Sequence, residues 1–167
     1  MNEKKIDPKE QPEQINRLEL HNVLEPSRIC ILEGLNKSEA LKVLIDCLAA
    51  APEVTDRDDL HNGIFYREEL MSTGIGMGIA VPHVRLSSVK DIVMCVGLCR
   101  PPITDYESLD GQPVHLIFMI AAGKDQHIKH IKLLSSISST LKDKQIREAL
   151  ITASNATTFY NLTKMNG

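Results

Sequence analysis

Apolar residues along this chain recur in two rhythms, and the changes between them divide it into elements. Residues 1–16 carry neither: they are charged and polar, with Pro8, Pro12 and almost nothing to bury. Ordering them would gain little against the entropy lost, so a loose N-terminal tail is expected, followed by one domain over residues 17–167. From Leu18 the chain turns apolar, and Leu20, Val23 and Leu24 lead to Pro26. Residues 28–32, Arg-Ile-Cys-Ile-Leu, then read as a first buried strand ended by Gly34. Leu41, Val43, Leu44, Ile45, Leu48 and Ala49 fall on one face of a helix that Asn36 or Ser38 can cap, with Pro52 just past its end. Thr55, Asp56, Asp58 and Asp59 set cap oxygens and negative charge at the start of a second helix, which runs toward Met71 through Leu60, Ile64, Phe65 and Leu70.

Continuous apolar runs replace the helical rhythm in the middle of the chain. Residues 79–81, 92–98 and 114–122 read as strands, the last being the strongest, and Arg100-Pro101-Pro102 closes the second. Residues 103–112, with Asp110-Gly111, form the loop or hairpin turn between them. After Gly123 the spacing is helical again. Asp125 caps a helix carrying Ile128, Ile131, Leu134, Ile137 and Leu141, a second covers about residues 143–153, and Asn155 caps a last one with Phe159, Tyr160 and Leu162. Strands grouped centrally with helices on either side predict a single α/β domain, a mixed β-sheet sandwiched between helices in three layers.

Composition narrows the function without naming it. At 43% hydrophobic over 167 residues the chain can build one real core. Its 19 basic and 22 acidic residues give a net charge of −3, without the basic excess of a nucleic-acid binder. No apolar run approaches the roughly 18 to 20 residues that cross a bilayer, and no signal-peptide segment opens the sequence, so a cytoplasmic protein without membrane insertion is expected. Cys30, Cys47, Cys95 and Cys99 form no C-x-x-C pair and lie inside apolar segments, where a thiol behaves as a small hydrophobe.

The most distinctive stretch is residues 67–83, REELMSTGIGMGIAVPH. Gly74, Gly76 and Gly78 make a poor helix interior, at a cost of about 1 kcal/mol each relative to Ala, and mark a tight loop. Its backbone N–H groups could cradle an anion, but G-x-G-x-G followed by a strand is neither a P-loop nor a dinucleotide fingerprint. Pro82 then fixes φ and removes a donor, so His83 is expected at the end of a buried strand on a stiffened backbone. By itself such a histidine is either a satisfied strand-end residue or a nucleophile. Five others accompany it: His21, His61, His115, His127 and His130. His127 and His130, three apart on one helical face, could ligate a metal with His83 or His115, but without a second tight ligand cluster no metal is expected.

The run Arg67-Glu-Glu and Ser72-Thr-Gly-Ile-Gly-Met-Gly-Ile-Ala-Val-Pro-His83 resembles the signature of the EIIA domain of the fructose and mannitol type in the bacterial phosphoenolpyruvate-dependent phosphotransferase system. The resemblance extends over residues 18–163, through the Asp110-Gly-Gln-Pro-Val turn and the helix beginning at His130. It implies a mixed sheet sandwiched by helices, and a phosphoryl group accepted on His83 from the histidine phosphocarrier HPr or its nitrogen-branch relative. His130 and Arg67 would face the phosphoryl oxygens, Thr73 is added by proximity as a hydroxyl donor, and the glycine loop would form one wall of the site. No cofactor is required, because the donor is itself a phosphohistidine. The Thr-Gly-Ile-Gly-x-Gly-Ile-Ala-x-Pro-His form is closer to the nitrogen-regulatory group, which implies phosphorylation-dependent binding of target proteins. The alternative is a sugar-transport component passing the group to an EIIB cysteine.

Overall fold

The computed structural model describes residues 19–165; the tail expected over residues 1–16 lies outside them. A short helix α1 (Leu20–Val23) and a 3-10 turn lead into strand β1 (Ile29–Glu33). Two capped helices follow. Asn36 Oδ1 accepts from the Glu39 amide at 2.9 Å to start α2 (Lys37–Ala49), and Asp56 Oδ1 accepts from the Asp59 amide at 3.0 Å to start α3 (Arg57–Leu70). In both, a short polar side chain satisfies an amide with no partner inside the helix. The chain then supplies β2 (Gly74–Gly76), β3 (Ile79–Ala80), β4 (His83–Arg85), β5 (Val93–Ile103) and β6 (Val114–Ala122). It ends in α4 (His127–Lys142), α5 (Lys144–Ile151) and α6 (Ala156–Met165).

The sheet has six strands in the order β1-β5-β6-β3-β2, with β4 also on β6. Pairing is mixed: β5 runs antiparallel to β6, whereas β1 lies parallel to β5, and β3 and β4 lie parallel to β6. Period-two alternation splits the two long strands between two cores. Cys95, Cys99, Ile117, Met119 and Ala121 meet Leu44, Ile45, Leu48, Leu60 and Ile64 on the side of α2 and α3. Met94, Val96, Phe118 and Ile120 meet Leu133, Ile137, Leu141, Leu150 and Phe159 on the other. A sheet covered on both faces needs apolar residues at every position of its central strands, and that is why residues 114–122 read as one unbroken run. The three-layer sandwich expected from the element order is the fold observed. All four cysteines are free thiols, with Cys95 and Cys99 buried and Cys30 and Cys47 half-buried.

Three local expectations are corrected. The second strand does not stop before its prolines: β5 continues through Pro101 and Pro102 to Ile103, with a cis Arg100–Pro101 bond. Its register against β6 shifts between Leu98 and Ile103, so the missing proline donors fall where the ladder is interrupted. The glycine stretch is not only a loop, because Gly74–Gly76 pairs antiparallel with β3 as a hairpin. A Cβ at Gly74 would lie 2.2 Å from the Glu107 carbonyl oxygen, and Gly78 has φ of +77°, so close approach and a left-handed turn account for two of the glycines. Finally, Asp125 does not cap α4. Gln126 occupies that position and uses its side chain elsewhere, accepting from the Gly123 amide at 2.8 Å and donating to Asp91 at 2.6 Å.

The cap of α3 matters for function because that helix carries Arg67 in its last turn. Asp56→Ala is expected to lower stability by about 1 kcal/mol. In urea this reads as a lower unfolding midpoint with an unchanged slope; an unmoved midpoint would show that the cap contributes nothing.

Candidate functional site

His83 does not end a strand, as the sequence led us to expect. It is the first residue after a break within one. Ile79 and Ala80 pair with Leu116 and Ile117, and His83, Val84 and Arg85 pair with Ile120, Ala121 and Ala122, so β3 and β4 follow β6 with a single uninterrupted offset. Val81 and Pro82 fill the gap. Pro82 cannot donate to the ladder, yet its carbonyl still accepts from the Ile120 amide at 3.0 Å and keeps the register. Alternation along the strand turns the Val81 peptide groups away from β6: its amide donates to the Thr73 carbonyl at 3.0 Å, and its carbonyl accepts a hydrogen bond from His83 Nδ1 at 2.7 Å. A carbonyl can only accept, so the proton is on Nδ1 and the lone pair is on Nε2.

Two helix termini complete the site. His130, in the first turn of α4, is 5% exposed, and its Nε2 is buried without a hydrogen-bond partner among the described residues. Its ring stands edge-on to that of His83, centroids 5.1 Å apart at 71°. Arg67, in the last turn of α3, donates from Nη1 to the Met71 carbonyl at 2.8 Å. That bond satisfies the open end of the helix and holds the guanidinium in place. The three side chains line one cavity of about 470 Å³, together with Arg85 and His127 over an apolar wall that includes Leu86, Ile131 and Leu134.

Both histidines are biased toward the neutral ring. Burial lowers the His83 pKa from 6.5, the Val81 hydrogen bond opposes it, and Arg67 lowers it further while Glu68 acts in the raising direction. Burial likewise brings His130 down to about 4, helped by His83, Arg85 and His127. Desolvation dominates in each case.

The cavity does not include every residue expected there. Thr73 is 4% exposed and turned into the protein. Its hydroxyl is bonded to the Glu68 carboxylate and lies 2.7 Å from the Tyr106 hydroxyl, so it is not offered to a ligand in the cavity. Glu68 is closed off in turn by Tyr106 at 3.0 Å and by Lys37 at 2.9 Å. Nor do the glycines form a wall: Gly76 faces Asp110, Gly78 faces His115, and the Met77 amide is bonded to Asp110 at 2.8 Å. His127 and His130 do share the cavity, but among the described residues no group of three His, Cys, Asp or Glu side chains is arranged to hold a metal. Arg85 escaped the sequence reading, although its place two residues beyond His83 in an extended segment puts both on one face.

The site thus sits at one end of a three-layer mixed-sheet domain and offers an unprotonated imidazole nitrogen beside cationic groups. Residues 22–165 match the family model described as "Phosphoenolpyruvate-dependent sugar phosphotransferase system, EIIA 2". The chain belongs to this family. It is 38% identical over 122 residues, 73% of its length, to the "PTS system fructose-specific EIIABC component" of Bacillus subtilis, of which it spans only 19%. It is 30% identical over 146 residues to a "Nitrogen regulatory protein" of Pseudomonas aeruginosa, covering 87% of this chain and 94% of that one. Among solved structures, the nitrogen regulatory protein IIA-Ntr from Neisseria meningitidis superposes with a TM-score of 0.79 at 28% identity, covering 86% of this chain and 97% of that one. Among the described residues no helix is long and apolar enough to cross a membrane.

The depressed His130 pKa makes folding pH-dependent in a definite direction. In the folded chain the ring stays neutral down to about pH 4, whereas the unfolded chain protonates it near 6.5. Between those values the unfolded state binds more protons, so stability falls as pH drops through the window. Urea unfolding at pH 7, 5.5 and 4.5 should show this decline in the wild type and a smaller one in His130→Asn; equal slopes would refute the assignment.

Proposed function

We propose that this chain is a cytoplasmic phosphohistidine carrier that accepts a phosphoryl group on His83 Nε2 from an HPr-type phosphocarrier. The observation that carries this reading is the Nδ1 bond to Val81, which leaves Nε2 as the free nucleophile of a ring already oriented. In the transfer, the Nε2 lone pair forms the new N–P bond as the donor's N–P bond breaks. The released electron pair stays on the donor's ring nitrogen, so the step needs neither oxidant nor metal. Positive charge building on the His83 ring is shared with the Nδ1 proton held on Val81. Phosphoryl transfer asks the protein chiefly for positioning and charge stabilisation, the roles assigned here to Arg67 and His130.

The surroundings suit a protein donor. Tyr66, Leu70, Met71 and Ile128 are 63 to 69% exposed: Tyr66 lines the cavity, Ile128 follows the lining residue His127, and Leu70 and Met71 end and cap the helix that carries Arg67. Apolar side chains open to solvent around a charged centre are what a transient protein partner covers. We assign the main role to regulation, in which the charge gained on His83 controls binding to target proteins, in keeping with the near full-length match to a nitrogen regulatory protein. The 38% identity to a fructose-specific component supports a second reading, onward transfer to the cysteine of an EIIB partner during sugar uptake.

Incubation with phosphoenolpyruvate, enzyme I and an HPr-type protein should label the wild type and leave His83→Ala unlabelled; label on His83→Ala would overturn the assignment. Phosphorus NMR of the labelled protein should place the group on Nε2, and a signal from Nδ1 would reverse the tautomer. Arg67→Ala and His130→Ala are expected to fold and to accept phosphate roughly 10²-fold more slowly. Because burial and Arg67 depress the His83 pKa, the rate should stay on its plateau below pH 6.5. A midpoint above that value would contradict the neutral ring. Adding an EIIB protein separates the two roles: onward transfer favours transport, and none favours regulation.

A further inference from the structure

We infer that Arg85 is a second phosphoryl-binding arginine, engaging the dianion carried by His83 alongside Arg67. The inference rests on the reading that His83 is the phosphorylated residue. Arg85 and His83 are alternate residues of β4, with Val84 between them turned into the core, so both project from the same face. Both line the cavity. Arg67 lowers the His83 pKa and Arg85 that of His130, so each ring of the pair has a guanidinium near it.

Donor supply gives the physical reason. A phosphoryl group carries about −1.5 to −2 charges and three strong acceptor oxygens. Arg67 spends one of its five N–H donors on the Met71 carbonyl and can turn only one edge of its planar fork, two N–H groups, to a phosphoryl group, and a neutral His130 can offer a single N–H. Those donors give each of the three oxygens one hydrogen bond at most, and each oxygen has further lone pairs to fill. Arg85 is exposed and makes no hydrogen bond or ion pair with any described residue, so its five N–H donors are free. The charge pattern agrees: the lining holds Arg67 and Arg85 with His83, His127 and His130, and contains no aspartate or glutamate. Glu68, next to Arg67, has its carboxylate occupied by Lys37, Thr73 and Tyr106. An exposed arginine with no carboxylate beside it, aimed at a site expected to gain two negative charges, is suited to hold them directly and bidentately.

The test compares wild type, Arg85→Ala and Arg85→Lys, each labelled to completion with excess donor. Loss of one charge-assisted interaction predicts a fall of roughly ten- to a hundredfold in the saturated transfer rate of Arg85→Ala. Arg85→Lys should fall between, since it keeps the charge but not the fork. A second readout lies beyond a merely structural role. In a phosphorus NMR titration, the midpoint of the phosphoryl ionisation should move up in Arg85→Ala, because a nearby guanidinium favours the dianion, and recover part of the way in Arg85→Lys. Unchanged rate and midpoint in Arg85→Ala would overturn the inference. So would a higher half-saturating donor concentration with the midpoint unmoved, which would place Arg85 on the partner-docking surface. A His83→Ala sample run in parallel distinguishes the failures: label there removes the site itself, whereas its absence beside a normal Arg85→Ala removes only the role of Arg85.

Discussion

A strand broken at Val81–Pro82, yet held in one register along β6, is the constraint on which the site depends. Proline costs the β6 ladder a donor, while the Val81 carbonyl, turned away from β6, fixes the His83 ring and its tautomer. The strand could not tolerate such a gap alone. It does so because β6 is buried on both faces and pairs with β5 along its other edge, so a rigid neighbour imposes the geometry on the far side of the break. A mobile loop would leave the imidazole free to rotate and lose the orientation on which nucleophilic attack relies.

Electrostatics follow from the same placement. The break brings His83 to where α3 ends and α4 begins, and each helix contributes a side chain near its terminus. Arg67 suits a helix C-terminus because it can satisfy a terminal carbonyl while its charge complements the dipole. His130 is buried just inside the start of α4, where desolvation and neighbouring cations keep it neutral. Glu68, the carboxylate nearest this cluster in sequence, is neutralised by Lys37 and bonded by Thr73 and Tyr106 beneath the end of α3. Two guanidiniums therefore face an apolar-walled cavity with no acid among its lining residues, a field that rewards arrival of a dianion.

Much of this could be read from the chain because the signals are local. Cap residues at Asn36, Asp56 and Asn155 were recognisable since a short polar side chain needs only an amide three residues ahead. The run over residues 114–122 announced a doubly covered strand because both of its faces are apolar. The long signature ending in Pro82 and His83 pointed to the proposed nucleophile, and His130 and Arg67 came from resemblance. Local signals failed where the answer depends on distant neighbours. Thr73 is adjacent to the motif in sequence, but its hydroxyl is turned toward Tyr106, thirty-three residues later. The glycines suggested an anion cradle, and their freedom is spent instead on close approach to the segment around Glu107 and Asp110.

The sequence by itself determined the elements, the layer order and which imidazole is proposed to react, since these follow from periodicity, capping and a specific motif. Only the tertiary structure decided which nitrogen of that ring is free, because the pairing of β4 with β6 sets the ring against the Val81 carbonyl that holds the proton. It also decided which cations share the cavity. Arg85 joins the site, Thr73 leaves it, and Glu68 is shut away, all through contacts between residues that proximity along the chain does not predict.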